Sequence, residues 1–252
     1  MIPLKDYNPT RTFPVVTLLL MAACIGVYFL VQQDVEVMNE AEFTYRRAAI
    51  PCEVVTFEPL SAQEVVEGRC LNGGEPVFDN KSVVLAVLTS MFLHGGLLHL
   101  GGNMLYLWVF GNNIEDRQGK LVYLAFYVLA GIVATAAHVA VDPTSTIPVV
   151  GASGAIAGVM GAYLVLFPRV PIRSLIIFFF ILMRDIEARW LLGIWFVSQF
   201  FINPSDGVAW AAHVGGFAFG VLVGLIWRRR QGPRGFGRRG LEPVRLPDRP
   251  AW

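Results

Sequence analysis

Six polar residues stand inside otherwise apolar stretches of this 252-residue chain: His94, His99, Asn103, His138, Ser153 and His213. Polar side chains in such settings are costly and usually have a purpose. In HGGLLHLGGN (94–103), His99 and Asn103 are four positions apart and so share one helical face. Both can donate hydrogen bonds. Taken alone, they could equally be polar glue between helices. Ser153 lies in GASG (151–154), where Gly154 with Gly158 and Gly151 with Ala155 make small-xxx-small patterns. Such patterns let helices approach closely, so Ser153 taken alone reads as a packing residue. It is not in the G-x-S-x-G elbow of soluble hydrolases, because position 155 is Ala. His213 precedes Gly215, Gly216, Gly220 and Gly224, again a packing face. A hydroxyl, an imidazole and amide donors brought to one place can nonetheless form a nucleophile, a base and an oxyanion hole. The histidines lack the HExxH spacing of zinc proteases, so no metal and no cofactor is expected.

Whether these residues can meet depends on the elements that carry them. The chain is 55% hydrophobic and 15% charged, with a mean hydropathy of +0.55. Soluble domains carry roughly 25% charged residues, and disordered chains are poor in apolar and aromatic residues. Both classes are excluded, which leaves a polytopic membrane protein. A spanning helix needs roughly 20 mostly apolar residues. Six spans are expected, at about 13–32, 94–112, 119–141, 150–168, 186–203 and 210–227. The first has no small-residue cleavage site and reads as retained. Residues 1–12 form a short polar head, 33–93 a long first loop with the approach to span two, and 229–252 a basic tail. The apolar run 172–183 is only a dozen residues long and is left outside the membrane, on the cytoplasmic side.

Charge sets the orientation. With six spans, sixteen of the 20 Lys and Arg residues fall on the side of the two termini. Only Arg46, Arg47, Arg69 and Lys81 fall in the acidic first loop. By the positive-inside rule both termini are cytoplasmic. Spans two, four and six then enter from the outer face. His99, Ser153 and His213 come to a shared level, roughly 5–10 Å below that surface at about 5.4 Å per helical turn. Counting 172–183 and 190–202 as two spans would reverse the last helix and break both the charge asymmetry and this shared depth.

With HGGLLHLGGN (94–103), GASG (151–154) and AHVGG (212–216) in this order and at this depth, the chain resembles the rhomboid family of intramembrane serine proteases. The N-terminal MIPLKDYNPTRTFP and IEDRQGK (114–120) are similar to its bacterial branch. The resemblance covers most of residues 1–228. It implies an all-α bundle of six transmembrane helices around a water-accessible cavity open to the outer face, in a bacterial cytoplasmic membrane. It implies Ser153 as nucleophile and His213 as general base, with an oxyanion hole made by the side chains of His99 and Asn103 and the backbone N–H of Ser153. Gly151 would turn the chain sharply before the nucleophile. Gly154 and Gly216 would let the helices of Ser153 and His213 pack together. The expected partners are the lipid bilayer and single-span membrane protein substrates cut near the outer face; no nucleic-acid partner is expected. The Trp-Arg pair that many relatives carry in the first loop is missing, and Tyr45-Arg46 is its nearest analogue. Cys52 and Cys70 would face an oxidising compartment, where a disulfide or two free thiols are both open. Two other classes compete with the protease: a non-catalytic rhomboid-like binder of membrane spans, and a transporter with a histidine relay, which predicts an internal repeat that the halves do not show.

Overall fold

A computed structural model describes residues 1–32, 40–71, 73–177, 181–203 and 207–237, with backbone alone for Glu40 and for 231–237. The chain opens with strand β1 (Ile2–Asp6) and helix α1 (Val15–Val27), which runs on as a π-helical turn, Tyr28–Gln32. The first loop then folds into four short helices, α2 (Glu40–Arg47), α3 (Pro51–Thr56), α4 (Ala62–Glu67) and α5 (Val83–Thr89), the last continued by a 3-10 turn, Ser90–Phe92. Three helices follow: α6 (Leu97–Gln118), α7 (Lys120–Val141) and α8 (Ser153–Leu166). A hairpin of β2 (Pro171–Ile177) and β3 (Ile181–Glu187) leads to α9 (Ala188–Ser198), its 3-10 extension Gln199–Phe201, and α10 (Trp210–Gly237).

Six helices, α1 and α6 to α10, therefore stand where six spans were expected, and the protein is a multi-pass helical membrane bundle. Val15–Gln32, Lys120–Val141 and Trp210–Arg230 are each long and apolar enough to cross a bilayer, while α5 with its turn meets α6 at 81°. Helix α8 has only 14 residues, about 21 Å at 1.5 Å per residue, less than the ~30 Å hydrocarbon core. Its length is set by neighbours rather than by lipid, because 12 of those 14 residues are buried. Small residues let α7 and α10 close against it, while α6 packs on it through the rings of Phe110 and Tyr163. The tail beyond 237 lies outside the described residues, as do 33–39 of the first loop.

Buried acids tie the bundle together at the end where IEDRQGK sits. Helix α1 has no side-chain cap of its own, since Pro14 is its N-cap. Glu115 of α6 supplies one: its carboxylate accepts from Val16 N, Thr17 N and Thr17 Oγ1 at 2.8–2.9 Å. A carboxylate suits a helix N-terminus, where free N–H groups and the helix dipole both favour negative charge. Next to it, Asp116 Oδ1 accepts from Arg11 N and from Thr12 N and Oγ1. Gly119, at φ +85°, then turns the chain into α7.

The structure adds a sheet to the expected all-α bundle. β2 pairs antiparallel with β1 on one side and β3 on the other, with Ile172 opposite both Asp6 and Ile186. Of the 172–183 run, Ile172–Ile177 lie in β2, which pairs with the N-terminal strand, and Ile181–Met183 open β3, while 178–180 lie outside the described residues. The fifth helix starts at Ala188, after β3 has taken Ile186 and Glu187. Asp6 closes β1 against the bundle: its Oδ2 accepts from Asn113 Nδ2 at 2.6 Å and from Tyr163 Oη at 2.8 Å.

The first loop is a folded lobe. A disulfide joins Cys52 to Cys70, with Cα atoms 5.7 Å apart. Ser61 and Glu64 form a capping box at the start of α4. Lys81 and Glu53 make an ion pair with side chains only 1% and 2% exposed. Burial drives each of these two toward its neutral form, and each holds the other charged. Tyr45-Arg46 sits in this lobe, with the Tyr45 carbonyl accepting from Lys81 Nζ and the Arg46 guanidinium over the Phe78 ring.

Burial raises the Asp6 carboxyl to about 6, against the pull of its Tyr163 and Asn113 hydrogen bonds. The folded protein then holds this proton more tightly than the unfolded chain, whose carboxyl titrates near 3.9. The stabilisation is complete below about pH 4 and is lost as pH rises through 6, an effect of roughly 3 kcal/mol for about two pH units. We expect the melting midpoint in detergent to fall from pH 5 to pH 7.5 more steeply for the wild type than for Asp6→Asn. Parallel curves would show that Asp6 does not carry the pH dependence.

Candidate functional site

Ser153 is the first residue of α8 and His213 lies in the first turn of α10. Ser153 Oγ and His213 Nε2 are 2.8 Å apart, and both residues are half-buried. The helix backbones make this contact possible. A Cβ on Gly216 would collide with the carbonyl oxygen of Gly154, one on Gly220 with that of Gly158, and one on Gly161 with that of Phe217. On its other side, a Cβ on Gly154 would come within 2.6 Å of Ala134 Cβ in α7. α8 and α10 therefore meet backbone to backbone at glycines, and their leading ends bring hydroxyl to imidazole.

The segment before Ser153 is held from the first loop. Val149 bridges to Ala49. Gly151 N donates to Ser90 O at 2.9 Å, while Ser90 Oγ accepts from Ala49 N and donates to Ala86 O. Gly151 has φ +121°, in the region that favours glycine. Its missing side chain also matters for space, since a Cβ there would lie 2.8 Å from His99 Nε2. A cavity of about 20 Å³ opens beside Ser153, lined among others by Met91, Gly131, Ala134, Val150 and Ala212.

His99 stands against this turn. The backbone N–H of Gly95 donates to its Nδ1 at 3.2 Å. In the neutral ring the proton then sits on Nε2, which faces Gly151 as a donor. Asn103, one turn further along α6, is buried and donates from Nδ2 to His99 O at 2.9 Å. Its amide retains a second N–H. The first N–H groups of α8, that of Ser153 included, have no partner within their own helix. Ser153, His213, His99 and the turn at Gly151 thus share one place, with Asn103 a turn away. His94 is buried edge-on to His99, ring centroids 5.3 Å apart. His138, late in α7, keeps Nδ1 buried with no hydrogen-bond partner among the described residues.

Two residues escaped the sequence reading. Gln199 closes α9 and places Oε1 2.8 Å from His213 Nδ1. Gln32 ends the π-helical turn and clasps the backbone of His94, accepting from its N at 3.0 Å and donating to its O at 3.1 Å. The available signal was the same for both: one amide at the end of a long apolar run. A third cluster, Cys52, Glu64 and Cys70, brings ligand-type atoms within 4.8 Å. Both sulfurs are consumed by the disulfide, and Glu64 is committed to Ser61 and Leu71, so it is no metal site.

A bundle of helices in which a serine at the head of the buried α8 meets a histidine in the first turn of α10 defines a multi-pass helical membrane protein. Residues 81–230 match the Rhomboid domain family, and the chain belongs to the rhomboid family. It is 32% identical over 164 residues to the presenilin-associated rhomboid-like protein, mitochondrial, of Bos taurus, covering 60% of this chain and 42% of that one. RHOMBOID-like protein 5 of Arabidopsis thaliana is 30% identical over 140 residues, covering 56% and 43%. Rhomboid protein 1, mitochondrial, of Saccharomyces cerevisiae is 28% identical over 144 residues, covering 56% and 41%. The matches span about two fifths of the length of these curated relatives.

The glycine contacts give a direct stability test. Gly216→Ala forces α10 off α8 and is expected to cost about 1–3 kcal/mol, the usual cost of overpacking. A Cβ on Gly193 in α9 would meet nothing within 4 Å, and Ala there gains up to about 1 kcal/mol of helix propensity. Melting in detergent should lower the Gly216→Ala midpoint by several degrees and leave that of Gly193→Ala equal or higher. Equal midpoints for the two variants would remove the claim that α8 and α10 depend on backbone contact.

Proposed function

We propose that this protein is an intramembrane serine endopeptidase that cuts the transmembrane segments of other membrane proteins. The observation that carries this reading is the 2.8 Å contact between Ser153 Oγ and His213 Nε2. Ser153 attacks the scissile carbonyl while its proton passes to His213 Nε2. The tetrahedral oxyanion is met by His99 Nε2–H, by the Asn103 side chain and by the N–H of Ser153 at the positive end of α8. His213 then hands its proton to the leaving amine, and water, activated by the same imidazole, releases the acyl group from Ser153. Family membership supports the reading, as does the half-exposure of both residues.

The charge distribution supports an orientation with both termini on the cytoplasmic side and the site open to the opposite face of the membrane; assignment to a bacterial cytoplasmic membrane rests only on the similarity of residues 1–14 and 114–120 to the bacterial branch. The substrate class is the single-span membrane protein. An intact helix hides its carbonyls in hydrogen bonds, so a substrate needs small or helix-breaking residues that unwind it at the cut. Lateral admission past α9 fits a substrate already in the bilayer.

The test is reconstitution in liposomes with fluorescent single-span substrates. Wild type should cleave and should react with a fluorophosphonate probe at Ser153. Ser153→Ala and His213→Ala should not cleave. Asn103→Ala should lose on the order of 10²-fold in turnover, as loss of one oxyanion donor does, with its melting midpoint kept. Wild type that binds the substrates yet neither cleaves nor reacts with the probe would overturn the protease in favour of a span-binding protein.

A further inference from the structure

The side chain of Gln199 is buried, at 4% exposure, between the end of α9 and the imidazole of His213. Its Nε2 lies 2.9 Å from the carbonyl oxygen of Trp195 and 3.2 Å from Ser198 Oγ. A carbonyl only accepts, so the amide nitrogen must face Trp195; turning the amide over would set two carbonyl oxygens against each other. The amide oxygen is therefore the atom 2.8 Å from His213 Nδ1. An amide oxygen also only accepts, so Nδ1 carries the proton. In a neutral imidazole this leaves the lone pair on Nε2, the atom that faces Ser153 Oγ.

One relay results: Ser153 O–H to His213 Nε2, His213 Nδ1–H to Gln199 Oε1, and Gln199 Nε2–H to Trp195 O. The opposite tautomer breaks it twice. It would press the Nδ1 lone pair against the amide oxygen, and it would leave Nε2 unable to take the serine proton. The Trp195 ring, one turn before Gln199, also packs near the His213 ring, with centroids 5.8 Å apart. α9 thus supplies both an acceptor and a wall for the imidazole of α10.

We infer that Gln199 is the positioning residue of the pair, holding His213 in the Nδ1–H tautomer so that Nε2 stays free to accept the proton of Ser153. The inference rests on the protease reading for its kinetic consequences but not for the tautomer itself. The proton moves from Ser153 Oγ to His213 Nε2 and later to the leaving amine; Gln199 gains and loses none. When His213 becomes an imidazolium, its Nδ1–H···O bond becomes charge-assisted and shorter. A neutral amide gives that support without a permanent buried carboxylate inside the membrane, where an uncompensated charge is costly.

The experiment combines nitrogen NMR of protein labelled with 15N-histidine and kinetics of Gln199 variants. His213 resonances are identified by their loss in His213→Gln. Neutral wild-type His213 should show a protonated Nδ1 and an unprotonated Nε2, and Gln199→Leu should shift it toward the Nε2–H form. Turnover of Gln199→Leu should fall roughly 10- to 100-fold with KM little changed, at or below the about 10²-fold lower limit of what a positioned base contributes, since the base itself remains. Gln199→Glu in its protonated form keeps both an acceptor oxygen for His213 Nδ1 and an O–H donor for Trp195 O, and should lose clearly less turnover than Gln199→Leu. A wild-type His213 protonated on Nε2 overturns the inference by itself, even if the leucine variant fails to fold. So does wild-type turnover in Gln199→Leu, or equal impairment of the leucine and glutamate variants. Wild type that neither cleaves nor reacts with a fluorophosphonate strikes the protease reading instead and leaves the tautomer result standing.

Discussion

The contact between α8 and α10 is one of backbone with backbone. Gly154, Gly158 and Gly161 on one helix meet Gly216, Phe217 and Gly220 on the other, with carbonyl oxygens where side chains would otherwise stand. In a membrane, apolar surface gains nothing by leaving lipid for another apolar surface, so close van der Waals packing of small residues is what holds helices together. The same closeness positions Ser153 and His213. Ser153 begins α8 and His213 lies in the first turn of α10, so two axes fixed by glycines along their length present their first turns to one another. A separation larger by one side chain's width would leave the hydroxyl and the imidazole out of hydrogen-bond range. Packing and site geometry are in this respect one constraint, and α8 can be short because it answers to its neighbours rather than to the thickness of the bilayer.

The remaining elements hold the other groups against that axis. At one end, Glu115 and Asp116 cap α1, and Asp6 ties the sheet to α6 and α8. At the end where Ser153 lies, Ser90 and Ala49 fix the strand-like segment that ends at Gly151. The first loop is thereby a structural part of the site. Its disulfide and its buried Lys81–Glu53 pair cross-link the lobe whose Ala49 holds Ser90, the residue bonded to Gly151 N. Gln32 reaches from α1 to fix the approach to α6, which sets where His99 stands.

Long apolar runs made the helices readable, because a span needs about 20 such residues whatever it packs against. Shared depth made Ser153, His213 and His99 readable as one group, because depth follows from the count of spans. The sheet was not readable. Its central strand, Pro171–Ile177, is apolar on both faces toward its end and shows no alternation of period two, and its partner β1 lies at the other end of the chain. The lobe was hidden for a similar reason: Ala49, Ser90 and Val149 carry no charge or pattern that marks them as neighbours. Cys52 and Cys70 could be placed on one side of the membrane but not paired. Gln199 gave only a lone amide in an apolar stretch, and only the geometry around Trp195 and His213 says which way it points.

That geometry changes what α9 can do. A helix at the lateral edge of a bundle is a natural path for a substrate arriving from lipid. Yet the last turn of α9 carries the acceptor for Nδ1 of His213, and Trp195 packs beside the ring. If α9 swings away from α10, the imidazole loses its support and is free to take the tautomer in which Nε2 holds a proton. On the proposed protease reading, admission of a substrate past α9 and proton transfer from Ser153 would not share one arrangement unless the end of α9 stayed seated while its beginning moved. A hinge within Ala188–Ser198 would meet that requirement, and Gly193, midway along the helix, is a position where an added Cβ would meet nothing within 4 Å.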